Sequence, residues 1–305
     1  MFTKASSWKT RLAMAAAMLI AGAAATFAAQ PGKLVVAVTE PDIEAIVKAV
    51  GGNQVECFSL FKGCILRKGL QVEPSVEGRL EKANVIVWTG FFNESGAINE
   101  SLGEKEAASR TWIDVSKGAA RVNIPTSQCF GYVDPSMMPG DPFFWLNPEN
   151  GATIALAAAE GLGDLKPDKR DYFLANAAAF KKTIADDVAR WKQEIKPLST
   201  LRVFSAQCGW QNFSALGGPT FVSCKQTPGV LPTPKLLMAH VKEMKADIVI
   251  LDPNTPSEYG KAFRAEHGFK VIEVASSIEN IPGATTYPAL FDNLVKALKE
   301  AAKKK

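Results

Sequence analysis

One uninterrupted helical pattern runs from Pro167 to Ile195, and strand–helix alternation stands on both sides of it. Phe173, Ala177, Phe180, Ile184, Val188, Trp191 and Ile195 recur at intervals of four or three, the spacing that lines one face of an α-helix. Pro167 suits a first-turn position, Asp168 favours the positive end of the helix dipole, and Pro197 ends the run. At about 1.5 Å rise per residue such a helix is roughly 40 Å long. Placed between two sets of strands, it predicts a spine that joins two lobes.

On the N-terminal side, Leu34 to Val38 reads as a strand, followed by a helix with apolar positions Ile43, Ile46, Val47 and Val50 and a stop at Gly51-Gly52. Further strands are predicted at Val55 to Phe61, Val85 to Trp88 and Trp112 to Val115. On the C-terminal side the strands are Arg202 to Ser205, Thr220 to Cys224, Ile248 to Leu251 and Val271 to Val274, with helices at Trp210 to Leu216, from Thr233-Pro234 to Met244, at Ser257 to His267 and at Pro288 to Ala301. Strands alternating with helices imply parallel sheets with crossover helices. The predicted fold class is therefore α/β, two lobes of parallel sheet with flanking helices, one long spine helix and a ligand cleft between the lobes. Ligands of open parallel sheets bind beyond the carboxyl ends of the strands. That points to loops 62–72, 125–145, 205–210, 224–232 and 252–256.

The predicted organisation is a signal peptide over 1–28, an N-terminal lobe over 29–166, a spine over 167–197 and a C-terminal lobe over 198–305. Lys4, Lys9 and Arg11 form a basic start, Leu12 to Ala25 is apolar and alanine-rich, and Thr26-Phe27-Ala28 offers a cleavage site. At about 14 to 16 residues the apolar run is short for a membrane span. The expectation is a soluble, monomeric periplasmic protein. Removing 1–28 takes away three of the positive charges and lowers the net charge from +4 to +1. Nothing in that balance predicts nucleic-acid binding. All five cysteines, Cys57, Cys64, Cys129, Cys208 and Cys224, fall in the mature part, where export favours disulfides and the odd number leaves one thiol over.

The segment Asp141 to Asn150, DPFFWLNPEN, resembles the D-P-H-x-W-L-D-P-E-N segment of the metal-specific solute-binding proteins of ABC importers, the zinc and manganese receptors. Glu73-Pro74-Ser75 resembles the end of that family's P-H-x-Y-E-P-T segment, VIVWTG from Val85 to Gly90 its apolar strand before a glycine, Pro232-Thr233-Pro234-Lys235 its P-S-P-K helix start, and Leu251-Asp252-Pro253 its final acidic-proline segment. The 167–195 pattern is similar to its backbone helix. The resemblance implies a periplasmic receptor that passes its solute to an inner-membrane ABC permease, and no enzyme activity.

It also implies a site, and there this chain departs from the family. Of three histidine positions and one carboxylate, the matching residues are Leu70, Phe143, Gln207 and Asp252. Zinc sites want about four nitrogen, sulfur or oxygen donors; leucine and phenylalanine supply none, so zinc or manganese, the family's cargo, is disfavoured. The two histidines, His240 in mid-helix and His267 before a glycine, read as non-ligands. The family's histidine-rich loop is replaced by CFGYVDPSMMPGD.

Three functions stay open. A receptor of altered specificity would take an organic ligand or a metal chelate in a cleft walled by aromatics, among them Phe91, Phe92, Phe130, Tyr132, Phe143, Phe144 and Trp210, with Trp145 read as core. A soft-metal protein would use Cys64, Cys129, Cys208 and Cys224 with Met137 and Met138, since thiolate and thioether select ions such as Cu(I). A protein-interaction module would use the same fold without transport. Glu40, Glu73, Asp141 and Asp252 read as loop-capping carboxylates that approach the cleft. For the cysteines, two bridges are expected. Cys208 follows one C-lobe strand and Cys224 ends the next, within reach if those strands are neighbours. Cys64, in a loop longer than the family's pattern, would pair with Cys129, leaving Cys57 as a buried thiol.

Overall fold

The computed structural model describes residues 32–62, 70–91, 93–121, 141–205, 209–223, 233–266 and 268–303. In the N-terminal half, β1 (Leu34–Val38) leads into α1 (Pro41–Gly51), β2 (Val55–Ser59), the single-turn α2 (Glu77–Leu80), β3 (Val85–Trp88), α3 (Glu94–Leu102), α4 (Glu104–Ala108) and β4 (Thr111–Asp114). Two helices follow, α5 (Asn150–Leu165) and α6 (Arg170–Ile195). The C-terminal half holds β5 (Arg202–Ser205), a 3-10 helix (Trp210–Leu216), β6 (Thr220–Ser223), α7 (Pro234–Glu243), β7 (Ile248–Leu251), α8 (Ser257–Arg264), β8 (Lys270–Glu273) and α9 (Tyr287–Lys303).

Each half forms a four-stranded sheet, ordered β2-β1-β3-β4 and β6-β5-β7-β8, and every strand pairing is parallel. The two orders are the same, so each sheet reverses direction beside its first strand. Those reversal points, where a crevice opens beyond the strand ends, lie at Thr39 and Thr89 in one half and at Ser205 and Asp252 in the other. The expected two-lobe α/β architecture is present.

Strand alternation sorts the side chains. Val36 and Val38 of β1 enter one core while Val35 and Ala37 enter another; Ile248 and Ile250 of β7 likewise part from Val249 and Leu251. The inner faces of both sheets share a single core, and Phe173, Ala177, Ile184, Val188, Trp191 and Ile195 of α6 run through it. The spine is thus the apolar stripe read from the sequence, flanked by 3-10 turns at Pro167–Lys169 and Lys196–Leu198. The helix α5 was not anticipated. Its sequence, NGATIALAAAEGLGDL, carries three glycines that lower helix propensity. Two of them let neighbours approach closely: a Cβ on Gly161 would meet Ile113, and one on Gly151 would meet Tyr287.

Smaller expectations hold locally. Thr233 caps α7, its hydroxyl accepting the Leu236 N–H at 3.4 Å, with proline at the first position. Cys57 is a free, buried thiol, and burial pushes its pKa up to about 12, which makes it unreactive. The expected bridges Cys208–Cys224 and Cys64–Cys129 lie outside the described residues; β5 and β6, which precede Cys208 and Cys224, are neighbours. Among the described residues no helix is long and apolar enough to cross a membrane.

Candidate functional site

The segment from Asp141 to Asn150 forms a crossing between the two halves, and polar groups grip it from both. Asp141 opens it: its Oδ1 accepts the Phe143 N–H at 2.8 Å. The Phe143 carbonyl accepts from Asn212 Nδ2 of the C-terminal half at 3.1 Å, and the same amide donates to the Gly209 carbonyl at 3.2 Å. Asn150 Nδ2 donates to the Phe144 carbonyl at 2.8 Å. The Tyr287 hydroxyl at the start of α9 donates to the Trp145 carbonyl. The Trp145 indole N–H reaches Asp42 Oδ2 of α1 at 3.1 Å. The bonds to Asp42, Asn212 and Tyr287 come from three different elements and set the segment's position across the lobes.

Phe143, at the family's histidine position, is buried against the C-terminal half. A Cβ placed on Gly209 would lie 2.9 Å from Phe143 Cβ and 2.7 Å from Leu146 Cδ1, and Gly209 has φ +113°. Both the backbone conformation and the contact require glycine there. Gly209→Ala is expected to cost about 2–4 kcal/mol of stability, combining strain and overpacking. Urea denaturation checks this, and a loss under about 1 kcal/mol would show that the Phe143–Gly209 contact is loose.

The other family-matched positions fare differently. Leu70 is partly buried and packs against the outer core of the N-terminal sheet, the cluster that holds Val35, Phe58 and Phe61. Asp252 is buried, and both its oxygens are engaged within its own lobe. Its Oδ1 accepts the Asn254 N–H at 2.9 Å; Oδ2 accepts the Ser276 N–H at 2.9 Å and the Ser276 hydroxyl at 2.7 Å. It clamps the turn after β7 to the strand end of β8. Gln207, Cys64, Cys129, Cys208 and Cys224 lie outside the described residues, as do Met137, Met138, Phe92, Phe130, Tyr132 and His267.

Of the aromatic wall candidates, Phe144, Trp145 and Trp210 are fully buried and belong to the shared core, while Phe91 is partly exposed and packs on Phe144. Glu73 precedes a 3-10 turn and pairs with Lys62 at 3.2 Å. His240 sits within α7 and faces Glu243 at 3.8 Å. Among the described residues no three of His, Cys, Asp and Glu group so as to hold a metal ion.

The sequence reading named Asp141 as a capping carboxylate approaching the cleft, and its bond from the Phe143 N–H is such a cap; that reading missed Asp42 and Glu94, which with Asp141 form a set of buried acids. Glu94, at the start of α3, accepts from Thr89 N–H at 2.9 Å, Gly90 N–H at 3.0 Å and the Thr89 hydroxyl at 2.8 Å. Burial, reinforced by Glu40, still pushes its pKa up to about 8. Burial likewise raises Asp42 to about 7. Asp141 also rises to about 7 through burial, partly offset by the Phe143 N–H and the Asn212 amide. Asp141 Oδ2 has no partner in hydrogen-bond geometry, the nearby Asn212 amide being spent on two carbonyls. A neutral acid suits such a place. No local sequence signal marks these residues, because each is an ordinary loop or first-turn carboxylate until packing removes its water.

Two parallel four-stranded sheets with flanking helices and one long spine helix are the architecture of a two-lobe solute-binding protein. The family model for zinc-uptake complex component A, periplasmic (ZnuA) matches residues 36–301. The chain belongs to this family, the metal-type solute-binding proteins of ABC importers, which are transport components and not enzymes. Solved structures share the fold at low identity. A zinc-bound ZnuA with residues 138–173 deleted is 20% identical, with a TM-score of 0.71 over 90% of this chain and 99% of its own. The periplasmic zinc-binding protein TroA from Treponema pallidum is 17% identical, with a TM-score of 0.71 over 88% of this chain and 99% of its own. FpvC from Pseudomonas aeruginosa, solved in complex with Mn2+, is 16% identical, with a TM-score of 0.70 over 88% and 99%. None of the curated proteins matches the sequence.

Proposed function

We propose that this protein is the exported binding component of a metal-type ABC importer whose ligand is a metal chelate or an organic solute, not bare zinc or manganese. The observation that carries this reading is Phe143. It stands at a family ligand position, offers no donor atom, and is wedged against Gly209 of the opposite half. Leu70 likewise offers no donor, and the Asp252 oxygens are committed to Asn254 and Ser276. A single carboxylate does not make a tetrahedral site. Residues 1–28 would direct export and be cleaved, and an inner-membrane permease would receive the loaded protein.

Titration calorimetry of zinc into the oxidised, tag-free mature protein is expected to show no sub-micromolar binding. Sub-micromolar binding that Asp252→Ala abolishes would overturn the proposal. Elemental analysis and mass spectrometry of protein purified from its native compartment would identify the ligand. Stoichiometric copper together with four alkylatable thiols would favour the soft-metal reading through Cys64, Cys129, Cys208 and Cys224.

A further inference from the structure

Asp42 belongs to no ligand position, yet it ties together three separate parts of the fold. It is the second residue of α1, just beyond the end of β1, and its side chain is buried. Its Oδ1 accepts the Ile278 N–H at 2.8 Å, from the turn that follows β8 of the C-terminal sheet. Its Oδ2 accepts the Trp145 indole N–H at 3.1 Å, from the central crossing segment. One carboxyl group thus joins the N-terminal half, the C-terminal half and the segment between them.

The groups acting on this carboxyl are acidic from each side. Glu40 lies two residues before it, Glu279 follows Ile278 on the facing turn, and both disfavour its charge. Tyr287, from α9, is buried, and its own proton is held more tightly first by that burial and then by the nearby Asp42. Along α1, Glu44 and Lys48 pair with each other at 2.6 Å.

We propose that Asp42 is a proton-controlled clamp across the lobe seam: as the neutral acid it holds Ile278 and Trp145 together, and on ionisation it loosens the seam. The neutral acid keeps both N–H bonds, one on its carbonyl oxygen and one on the remaining lone pair of its hydroxyl oxygen, and has no charge to solvate. The carboxylate would bond more strongly to each N–H, but it sits beside two other acids and away from water. The cost of burying that charge exceeds what two neutral donors return. Its easiest relief is to let the Ile278 turn move off and water enter. With burial raising Asp42 to about 7, the change falls near neutral pH. The clamp lies beneath the strand ends and is independent of which solute the cleft takes.

The test is hydrogen exchange on the mature wild-type protein from about pH 5.5 to about pH 8.5, corrected for intrinsic rates. Protection of the Ile278 amide is expected to fall roughly tenfold across that range, and by more than that of Val249 in the centre of β7. Asp42→Asn is permanently neutral and keeps one acceptor oxygen for the Ile278 N–H while losing the indole bond, so its Ile278 protection is expected to be lower than that of the wild type at about pH 5.5 but independent of pH. Glu279 is exposed, so Glu279→Gln should fold normally; by removing a repelling charge it is expected to move the wild-type midpoint to lower pH. If Asp42→Asn does not fold, the wild-type profile and the Glu279→Gln midpoint decide. Constant Ile278 protection in the wild type, an Asp42→Asn profile that declines like the wild type, or an unmoved Glu279→Gln midpoint would each overturn the clamp.

Discussion

Raising the pH from about 5 to about 8 is expected to destabilise this protein by several kcal/mol, a direction opposite to that set by ordinary paired carboxylates. The reason is a set of buried acids, Asp42, Asp141 and Glu94. Asp42 and Asp141 are raised to about 7 and Glu94 to about 8, in each case chiefly by burial. A carboxyl whose folded pKa exceeds its unfolded value binds its proton more tightly in the folded state. Its contribution is fully present below the unfolded pKa and is lost as pH rises through the folded one. A raise of three units corresponds to a ceiling of about 4 kcal/mol per group, which relaxation and water entry reduce. Glu194 works the other way: its pKa is lowered, first by the bond from Lys299, but it lies on the surface and the effect is screened. Urea midpoints measured across the range are the check, and a rising midpoint would refute the argument. Asp141→Asn should recover part of the loss at pH 8, since its retained oxygen still accepts the Phe143 N–H while the orphaned oxygen is removed.

Trp145→Ala is expected to be the most damaging single substitution in the crossing segment, at about 3–5 kcal/mol. The side chain is fully buried and makes edge-on contacts with Phe143 at 5.5 Å and Phe144 at 5.6 Å between ring centroids. Removing it opens a cavity where both sheets share one core, and it strips Asp42 of its indole donor. Trp145→Phe separates the two effects. It keeps most of the ring volume and deletes only the N–H, so its expected cost is about 1–3 kcal/mol and greater at high pH, where Asp42 is ionised. Equilibrium unfolding of the two variants measures both terms. A Trp145→Ala loss below about 1 kcal/mol would mean that the segment is not fixed by packing.

The Asp141–Asn150 segment was legible by resemblance but not by role. DPFFWLNPEN marked the family by resemblance alone, and Trp145 read as core, where it lies. That Phe143 is packed against Gly209, and that Asn212 and Tyr287 hold the segment's carbonyls, depended on residues far away in the chain.

By itself the sequence determined the eight strands, the spine from Pro167 to Ile195 and the parallel two-lobe plan. Those features rest on apolar periodicity and on proline and glycine stops, which neighbouring residues carry among themselves. It did not disclose α5, whose alanines and glycines carry little periodic contrast and whose helix is stabilised by packing against α1 and α6. Nor did it disclose Asp42, which looks like any acidic residue in a helix's first turn. Only the tertiary structure brought Asp42 to Ile278 and Trp145, and only burial there changed its proton affinity. The physical reason is that periodicity is a local property of the chain, whereas desolvation and the meeting of distant donors exist only after the sheets have packed on the spine.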